Sequence, residues 1–141
     1  MKNYSNEIFE HLVRLIRSNS DSEREWLRLN EAEELVCFWD AVCDDEVSFK
    51  WLMKNNFTAL AAVVDGLAEN QKAKLFLLKG GHRELAAFVE ACFGTQKAIS
   101  FLLQNNYSGW LLVAKEIYNL DQKKEKSSFW GLFHLGNPFK K

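Results

Sequence analysis

The side chains of this 141-residue chain that could carry out catalysis or bind a metal are few and widely spaced. Its three histidines, His11, His82 and His134, lie in no metal-binding spacing such as His-Glu-x-x-His. No glycine-rich phosphate loop, Gly-x-Ser-x-Gly turn or pair of catalytic carboxylates stands out. We therefore expect no catalytic residue, no metal and no cofactor, and we interpret the protein as a non-enzyme.

The three cysteines have neither disulfide nor zinc spacing. Cys37, Cys43 and Cys92 have mainly apolar neighbours, which favours buried, unreactive thiols; Cys37 is the alternative candidate for a reactive one. No apolar run approaches the ~20 residues of a membrane span, and the first residues do not resemble a secretory leader. We expect a reduced, cytoplasmic protein.

An internal repeat positions whatever surface this chain presents. Residues 47–70, 72–95 and 97–120 superpose without a gap at a shift of 25, and a weaker copy lies upstream. The repeat brings similar apolar residues into common columns: Trp26/Trp51/Phe76/Phe101, Leu27/Leu52/Leu77/Leu102, Leu35/Leu60/Leu85/Trp110, Phe38/Val63/Phe88/Val113 and Val42/Leu67/Cys92/Ile117. A constant step with conserved apolar spacing predicts stacked, equivalent units.

Each unit contains two short helical patterns, for example at about 46–54 and 57–68. We expect the column Asn30/Asn55/Gly80/Asn105 to end the first helix in a left-handed conformation, and the next column to cap the second helix. The predicted fold is all-α: a right-handed α-solenoid of four 25-residue helix-turn-helix repeats over residues 21–120.

The two ends of the chain differ from the repeats. Residues 1–20 are predicted to hold an N-terminal capping helix, and residues 121–141 a charged linker and an aromatic tail. We expect the tail to cover the last repeat, which would otherwise expose Trp110, Val113 and Ile117. Docking on a partner and binding at a membrane surface are the alternatives for the tail, and we expect no membrane binding because its basic charges are few.

The string GTQKAISFLLQNN, at 94–106, resembles the second-helix signature of ankyrin repeats, in which a glycine precedes an aliphatic stripe and a turn residue. The resemblance implies only that helical hairpins stack for protein binding. The chain lacks the Thr-Pro-Leu-His opening of that family, and a 25-residue unit leaves no room for its β-hairpin.

Acidic residues recur on the second helices of the first three units. Residues 21–46 carry ten acids against two arginines, although the whole chain has a net charge of −1. Small residues lie between the recurring acids, so we expect close helix packing there and acids along an inner surface. This acidic strip could bind a basic segment of a partner, or it could be an ordinary solvated face. The candidate partner-binding residues are Asp40, Asp44, Asp65, Glu69 and Glu90, with Trp130 and Phe133 of the tail.

The pattern predicts a non-enzymatic protein–protein interaction module, either an adaptor or an inhibitor. A nucleic-acid-binding helical repeat is one alternative, but it would need a basic groove where this chain has acids, so we expect no nucleic-acid partner. A homo-oligomer formed through the aromatic tail is the other alternative.

Overall fold

The computed structural model describes the backbone of residues 2–127 and the side chains of residues 2–123. Over this range the chain forms nine α-helices and no strand, so the all-α prediction is confirmed. The helices are α1 (Asn6–Ser18), α2 (Asp21–Leu29), α3 (Glu33–Val42), α4 (Glu46–Lys54), α5 (Thr58–Leu67), α6 (Gln71–Lys79), α7 (Arg83–Cys92), α8 (Gln96–Gln104) and α9 (Ser108–Ser127).

The helix boundaries follow the step seen in the sequence. The even-numbered helices from α2 to α8 begin at 21, 46, 71 and 96, and the odd-numbered helices from α3 to α9 begin at 33, 58, 83 and 108. Both series advance by 25 residues. Helix α4 has the predicted bounds, and α5 begins one residue after its predicted start.

Capping residues begin the even-numbered helices. Ser20, Asp45, Asn70 and Thr95 are their N-caps and share one column of the repeat. The side chain of Asn70, for example, accepts hydrogen bonds from the backbone N–H groups of Lys72 (2.9 Å) and Ala73 (3.1 Å). Such a cap satisfies N–H groups that have no partner within the helix, and this lets a nine-residue helix begin at a fixed position.

The turns within the hairpins correct the predicted capping by one residue. The column Asn30/Asn55/Gly80/Asn105 has ordinary negative φ angles, between −83° and −106°. The next column, Glu31/Asn56/Gly81/Asn106, is left-handed, with φ between 62° and 80°. The second helix therefore begins after a residue with no side-chain cap, such as Phe57 or His82. Asparagine and glycine suit both columns, so composition alone did not determine the register.

The odd-numbered helices form the inner layer and bury the repeated apolar columns. Leu35, Leu60 and Leu85 are inaccessible to solvent, as are Phe38, Val63 and Phe88. The even-numbered helices lie outside and each contribute one inaccessible leucine, namely Leu27, Leu52, Leu77 and Leu102. From α3 onwards, each inner helix packs more extensively on the outer helix that follows it than on the one before. Contacts between successive hairpins therefore stabilise helices that are too short to persist alone.

The first and last helices meet. Helix α1 packs along α9 as well as on α2 and α3, and each inner helix contacts the next, so the inner layer forms a closed circuit. Trp110, Val113 and Ile117 of α9 are at most 5% exposed. Helix α1 packs along the helix that carries these residues. The predicted covering of the last repeat by the aromatic tail falls on residues outside those described.

Phe9 of α1 packs against α9 in this closure. Its ring lies over Gly109, where an added β-carbon would overlap the Phe9 ring. The same ring packs edge-on against Trp110 at a centroid distance of 5.1 Å and against Tyr4 at 5.8 Å. Phe88 of α7 also meets Trp110 at 5.1 Å, so the aromatic cluster extends into the centre of the inner layer. Only glycine at position 109 leaves room for this arrangement.

The final helix runs further than expected. Residues 121–127, predicted to begin a charged linker, continue α9 to Ser127. The aromatic tail with Trp130 and Phe133 lies outside the described residues.

We predict that Gly109→Ala destabilises the protein by about 1 to 3 kcal/mol, the usual cost of overpacking a core. Urea unfolding followed by circular dichroism measures this loss. Ser108→Ala, at the exposed neighbouring position, is the control and should change stability little. In a Phe9→Leu background the cost of Gly109→Ala should shrink, because the smaller side chain gives way. Strictly additive effects would show that the two residues do not compete for space.

Candidate functional site

The predicted acidic strip is not one continuous inner surface, because two of its five acids pair with cations of the outer helices. Asp40 of α3 forms an ion pair with Arg24 of α2 at 2.5 Å, and Arg24 also donates to the backbone carbonyl of Asn19 at 3.0 Å. Hydrogen bonding to Asp40 raises the pKa of Arg24. This pair connects the inner and outer helices of the first hairpin.

The third hairpin repeats that pair with different residues. Glu90 of α7 and Lys74 of α6 are 3.2 Å apart, and both lie 50 residues after Asp40 and Arg24. Lys74 also lies over the ring of Phe93, 5.6 Å from its centroid. Two of the five strip acids are thus engaged within their own hairpins.

Asp65 of α5 occupies the same column, but its hairpin has no cation at the position of Arg24 and Lys74. Phe49 stands where Arg24 and Lys74 stand in the neighbouring units. Asp65 forms no ion pair among the described side chains, and burial raises its pKa. The remaining strip residues, Asp44 and Glu69, are exposed in the left-handed turns after α3 and α5. The five acids are therefore in three different states. Asp40 and Glu90 are ion-paired, Asp65 is partly buried, and Asp44 and Glu69 are exposed in turns.

The small residues of the strip pack rather than face solvent. Ala41, Gly66 and Ala91 are buried, and a β-carbon on Gly66 would lie 3.3 Å from both γ-carbons of Val89. Close approach of α5 and α7 at this column agrees with the expectation for small residues. The centre of the inner layer holds aromatic rings, among them Phe38 and Phe88 at a centroid distance of 6.2 Å.

We predict that Asp65→Asn raises the melting temperature at neutral pH. The folded protein holds the Asp65 proton more tightly than the unfolded chain, whose pKa is near 3.8. Stability therefore falls as the pH rises from 3.8 through the folded-state pKa, and the charged form keeps that cost at neutral pH. The gain in Asp65→Asn should shrink as the pH approaches 3.8. Differential scanning calorimetry across this range measures the gain, with the exposed Glu25→Gln as control. A gain independent of pH would contradict the electrostatic cause.

The cysteines show how burial determines thiol reactivity. Cys37 is 8% exposed and Cys92 is 2% exposed, whereas Cys43 is exposed in the turn after α3. Burial raises the pKa of Cys37 to about 11 and that of Cys92 well above its ordinary value. Because the thiolate is the reactive form, the structure argues against Cys37 as a reactive thiol.

We predict that a disulfide exchange reagent such as DTNB labels Cys43 rapidly at pH 8, and Cys37 and Cys92 only after denaturation. The absorbance of the released thiolate counts the labelled cysteines. Cys37→Ser should leave the native count unchanged and Cys43→Ser should abolish it. Fast labelling that disappears in Cys37→Ser would contradict the burial argument.

The N-terminal segment closes one end of the inner layer through a buried acid. Glu34 is 3% exposed, accepts a hydrogen bond from the Tyr4 hydroxyl at 2.7 Å and pairs with Lys2 at 2.7 Å. Burial and this carboxylate together raise the pKa of Tyr4. A polar pocket of about 220 Å³ beside this cluster includes Glu84, which occupies the column of Glu34. The sequence carries one signal of this cluster: Glu34 and Glu84 are acids in a column whose other members are Ala59 and Gly109.

The outer layer carries large apolar side chains that are exposed to solvent. Met53, Leu75, Phe76, Leu78 and Leu103 lie on α4, α6 and α8 and are between 48% and 61% exposed. We call these five residues the outer apolar face. Large apolar side chains gathered on consecutive elements of a surface commonly mark a site of protein contact.

A groove crosses this layer between α6 and α8, with α7 as its floor. It encloses about 280 Å³ and is lined by alanines, two large apolar side chains and charged residues at its rim. The floor contains Ala86 and Ala87 of α7, and the walls contain Leu78 of α6 with Ala98 and Phe101 of α8.

The described residues include no group of three or more His, Cys, Asp or Glu side chains placed to hold a metal ion. None of the helices in the described part of the chain is both long and apolar enough to cross a membrane.

Comparison with known proteins found no match to a family model, a curated protein or a solved structure.

Proposed function

We propose that this chain is a non-enzymatic protein–protein interaction module, an adaptor or inhibitor, that contacts its partner through the outer apolar face. The observation that carries the proposal is the exposure of Leu75, Leu78 and Leu103 on adjacent outer helices, at 52%, 55% and 61%. A folded chain that buries its repeated leucines completely also leaves these three leucines exposed. Transfer of such side chains from water to a protein interface is favourable by about 25 cal/mol per Å² of apolar surface.

We also propose that residues 21–120 are four copies of one 25-residue unit in a right-handed stack. The recurrence of helix starts and N-cap residues at the same step supports a common unit. A stack of this kind presents its outer helices side by side, as the exposed leucines require.

The acidic strip stays a second proposed contact surface, for a basic segment of a partner. Asp44 and Glu69 are the members that favour it, because both are exposed at equivalent turns. Asp40 and Glu90 would first have to exchange their partners within the chain for a cation of the ligand, so they would add little affinity. We further propose a cytoplasmic setting, which suits the buried thiols of Cys37 and Cys92.

We predict that the double variant Leu75→Ser/Leu103→Ser loses its partner while keeping the fold. Affinity capture from extracts of the source cells, quantified by mass spectrometry, should show a set of proteins retained by the unmodified chain and depleted at least about tenfold by the variant, since each apolar contact contributes on the order of 1 kcal/mol. The thermal melt should be unchanged, because both side chains are already exposed.

The matched control is Leu29→Ser/Leu112→Ser, which removes two exposed leucines from α2 and α9 instead. It should retain the captured proteins. Equal depletion by both variants, or no protein captured specifically, would contradict the proposal. A second copy of the chain as partner would appear as a mass change by light scattering that Leu75→Ser/Leu103→Ser abolishes.

A further inference from the structure

The groove between α6 and α8 has cations at its rim that the fold does not neutralise. Arg83 and Lys97 both line it, and neither forms an ion pair with any side chain that the structure describes. The guanidinium carbon of Arg83 lies 5.5 Å from the centre of the Phe101 ring, so the cation is held over the apolar wall. The other charged residues at the rim, Lys74 and Glu90, pair with each other.

The equivalent positions on α3 and α4 carry a different set of charges from those of the groove. Fifty residues before Arg83 the chain has Glu33, which lies 3.7 Å from Arg28 of α2. At the position of Lys97 it has Val47. Relative to α3 and α4, helix α7 has an arginine in place of an acid and helix α8 has a lysine in place of an apolar residue. Leu78 stands at the position of Arg28, so the ion pair of the first hairpin has no equivalent here.

The side chains of the groove floor are also smaller than those at the equivalent positions of α3. The positions of Ala86 and Ala87 are Val36 and Cys37 in the first hairpin, where the larger side chains are at most 8% exposed. In the third hairpin the two alanines are only partly buried and leave open space above them. A gap with apolar walls, a shallow floor and unpaired cations is suited to a ligand that brings both an apolar side chain and negative charge.

We propose that this groove binds an acidic amphipathic segment of a partner protein. One large apolar side chain of the segment lies on Ala86 and Ala87 between Leu78 and Phe101. A neighbouring carboxylate accepts hydrogen bonds from Arg83, whose planar donor group matches a carboxylate in two-point contact, and a second acid pairs with Lys97. The inference rests on the proposed interaction function and specifies the chemistry of its ligand.

The charge pattern of the chain supports an acidic ligand over a basic one. The segment 71–107 contains Lys72, Lys74, Lys79, Arg83 and Lys97 against two acids, Glu84 and Glu90, although the whole chain has a net charge of −1. This local excess attracts acidic segments at moderate salt and repels basic ones. A partly apolar groove between a glutamate and two cations suits a peptide better than a nucleic-acid backbone, which needs a continuous run of cations.

The test is selection of binding peptides from a random 12-residue phage library on the full chain, followed by fluorescence anisotropy with the labelled winners. We expect enrichment of peptides that combine aspartate or glutamate with leucine or phenylalanine. Arg83→Glu/Lys97→Glu should weaken their binding at least about tenfold, the usual result of losing a partly desolvated charge partner. Lys50→Glu/Lys54→Glu makes the same change in net charge on the exposed side of α4 and should weaken it less than about twofold.

A third variant blocks the groove without a change in charge. Ala87→Leu introduces the residue that α9 carries at the equivalent position, Leu112, so the fold should tolerate it. It should weaken binding at least about tenfold with an unchanged thermal melt. Equal binding by Ala87→Leu, by Arg83→Glu/Lys97→Glu or by both would overturn the proposal.

The remaining outcomes also decide the matter. Enrichment of basic or uncharged peptides, or no enrichment, would overturn the acidic-segment proposal, as would tighter binding of a labelled single-stranded oligonucleotide. If the selected peptides lose binding in Leu75→Ser/Leu103→Ser but not in Arg83→Glu/Lys97→Glu, the interaction function stands and the groove assignment fails. If no protein or peptide binds the chain, both proposals fail.

Discussion

The rest of the structure depends on the docking of the first helix on the last. Hairpins that bury apolar faces against their neighbours always leave two faces uncovered, one at each end of the stack. Here α1 covers both at once, because it contacts α2 and α3 on one side and α9 on the other. Phe9 fits over Gly109 and against Trp110, so a single aromatic ring fixes the relative position of two helices that are far apart in sequence. The outer surface can then remain free for contact with another molecule.

The fold was predictable where the signal was local and repeated. Leu27, Leu52, Leu77 and Leu102 recur at one step and are all inaccessible, and the predicted bounds of α4 match those observed. The residues that begin and end each nine-residue helix, a capping residue and a left-handed turn, lie within its own unit. The same local signal therefore recurs in every unit and can be recognised by comparing them. The predicted position of the left-handed residue was wrong by one, because Asn-Asn and Gly-Gly pairs allow that conformation at either residue.

The closure and the candidate site depended on relations that the repeat does not contain. Phe9 lies outside the repeated columns, and nothing in the spacing pairs it with Gly109. The acids of the strip were read as one surface because their columns align. Their partners, Arg24 and Lys74, lie in a column that also holds Phe49 and Ile99. Because that column is not uniform, a search for residues shared by all units did not reveal the ion pairs. The groove rim was missed for the converse reason: it is the difference between Glu33 and Arg83, and not their equivalence, that creates unpaired charge.

The contact between α1 and α9 also determines when the protein can complete its structure. An open array of repeats can start folding at any unit and grow outwards. In this chain the first helix leaves the ribosome about 100 residues before the helix on which it docks. At synthesis rates of roughly 5 to 20 residues per second, α1 waits on the order of 5 to 20 seconds for that surface. The contact also couples the stability of the first and last helices. Because opening at α1 uncovers α9, the two ends of the array unfold together instead of fraying independently.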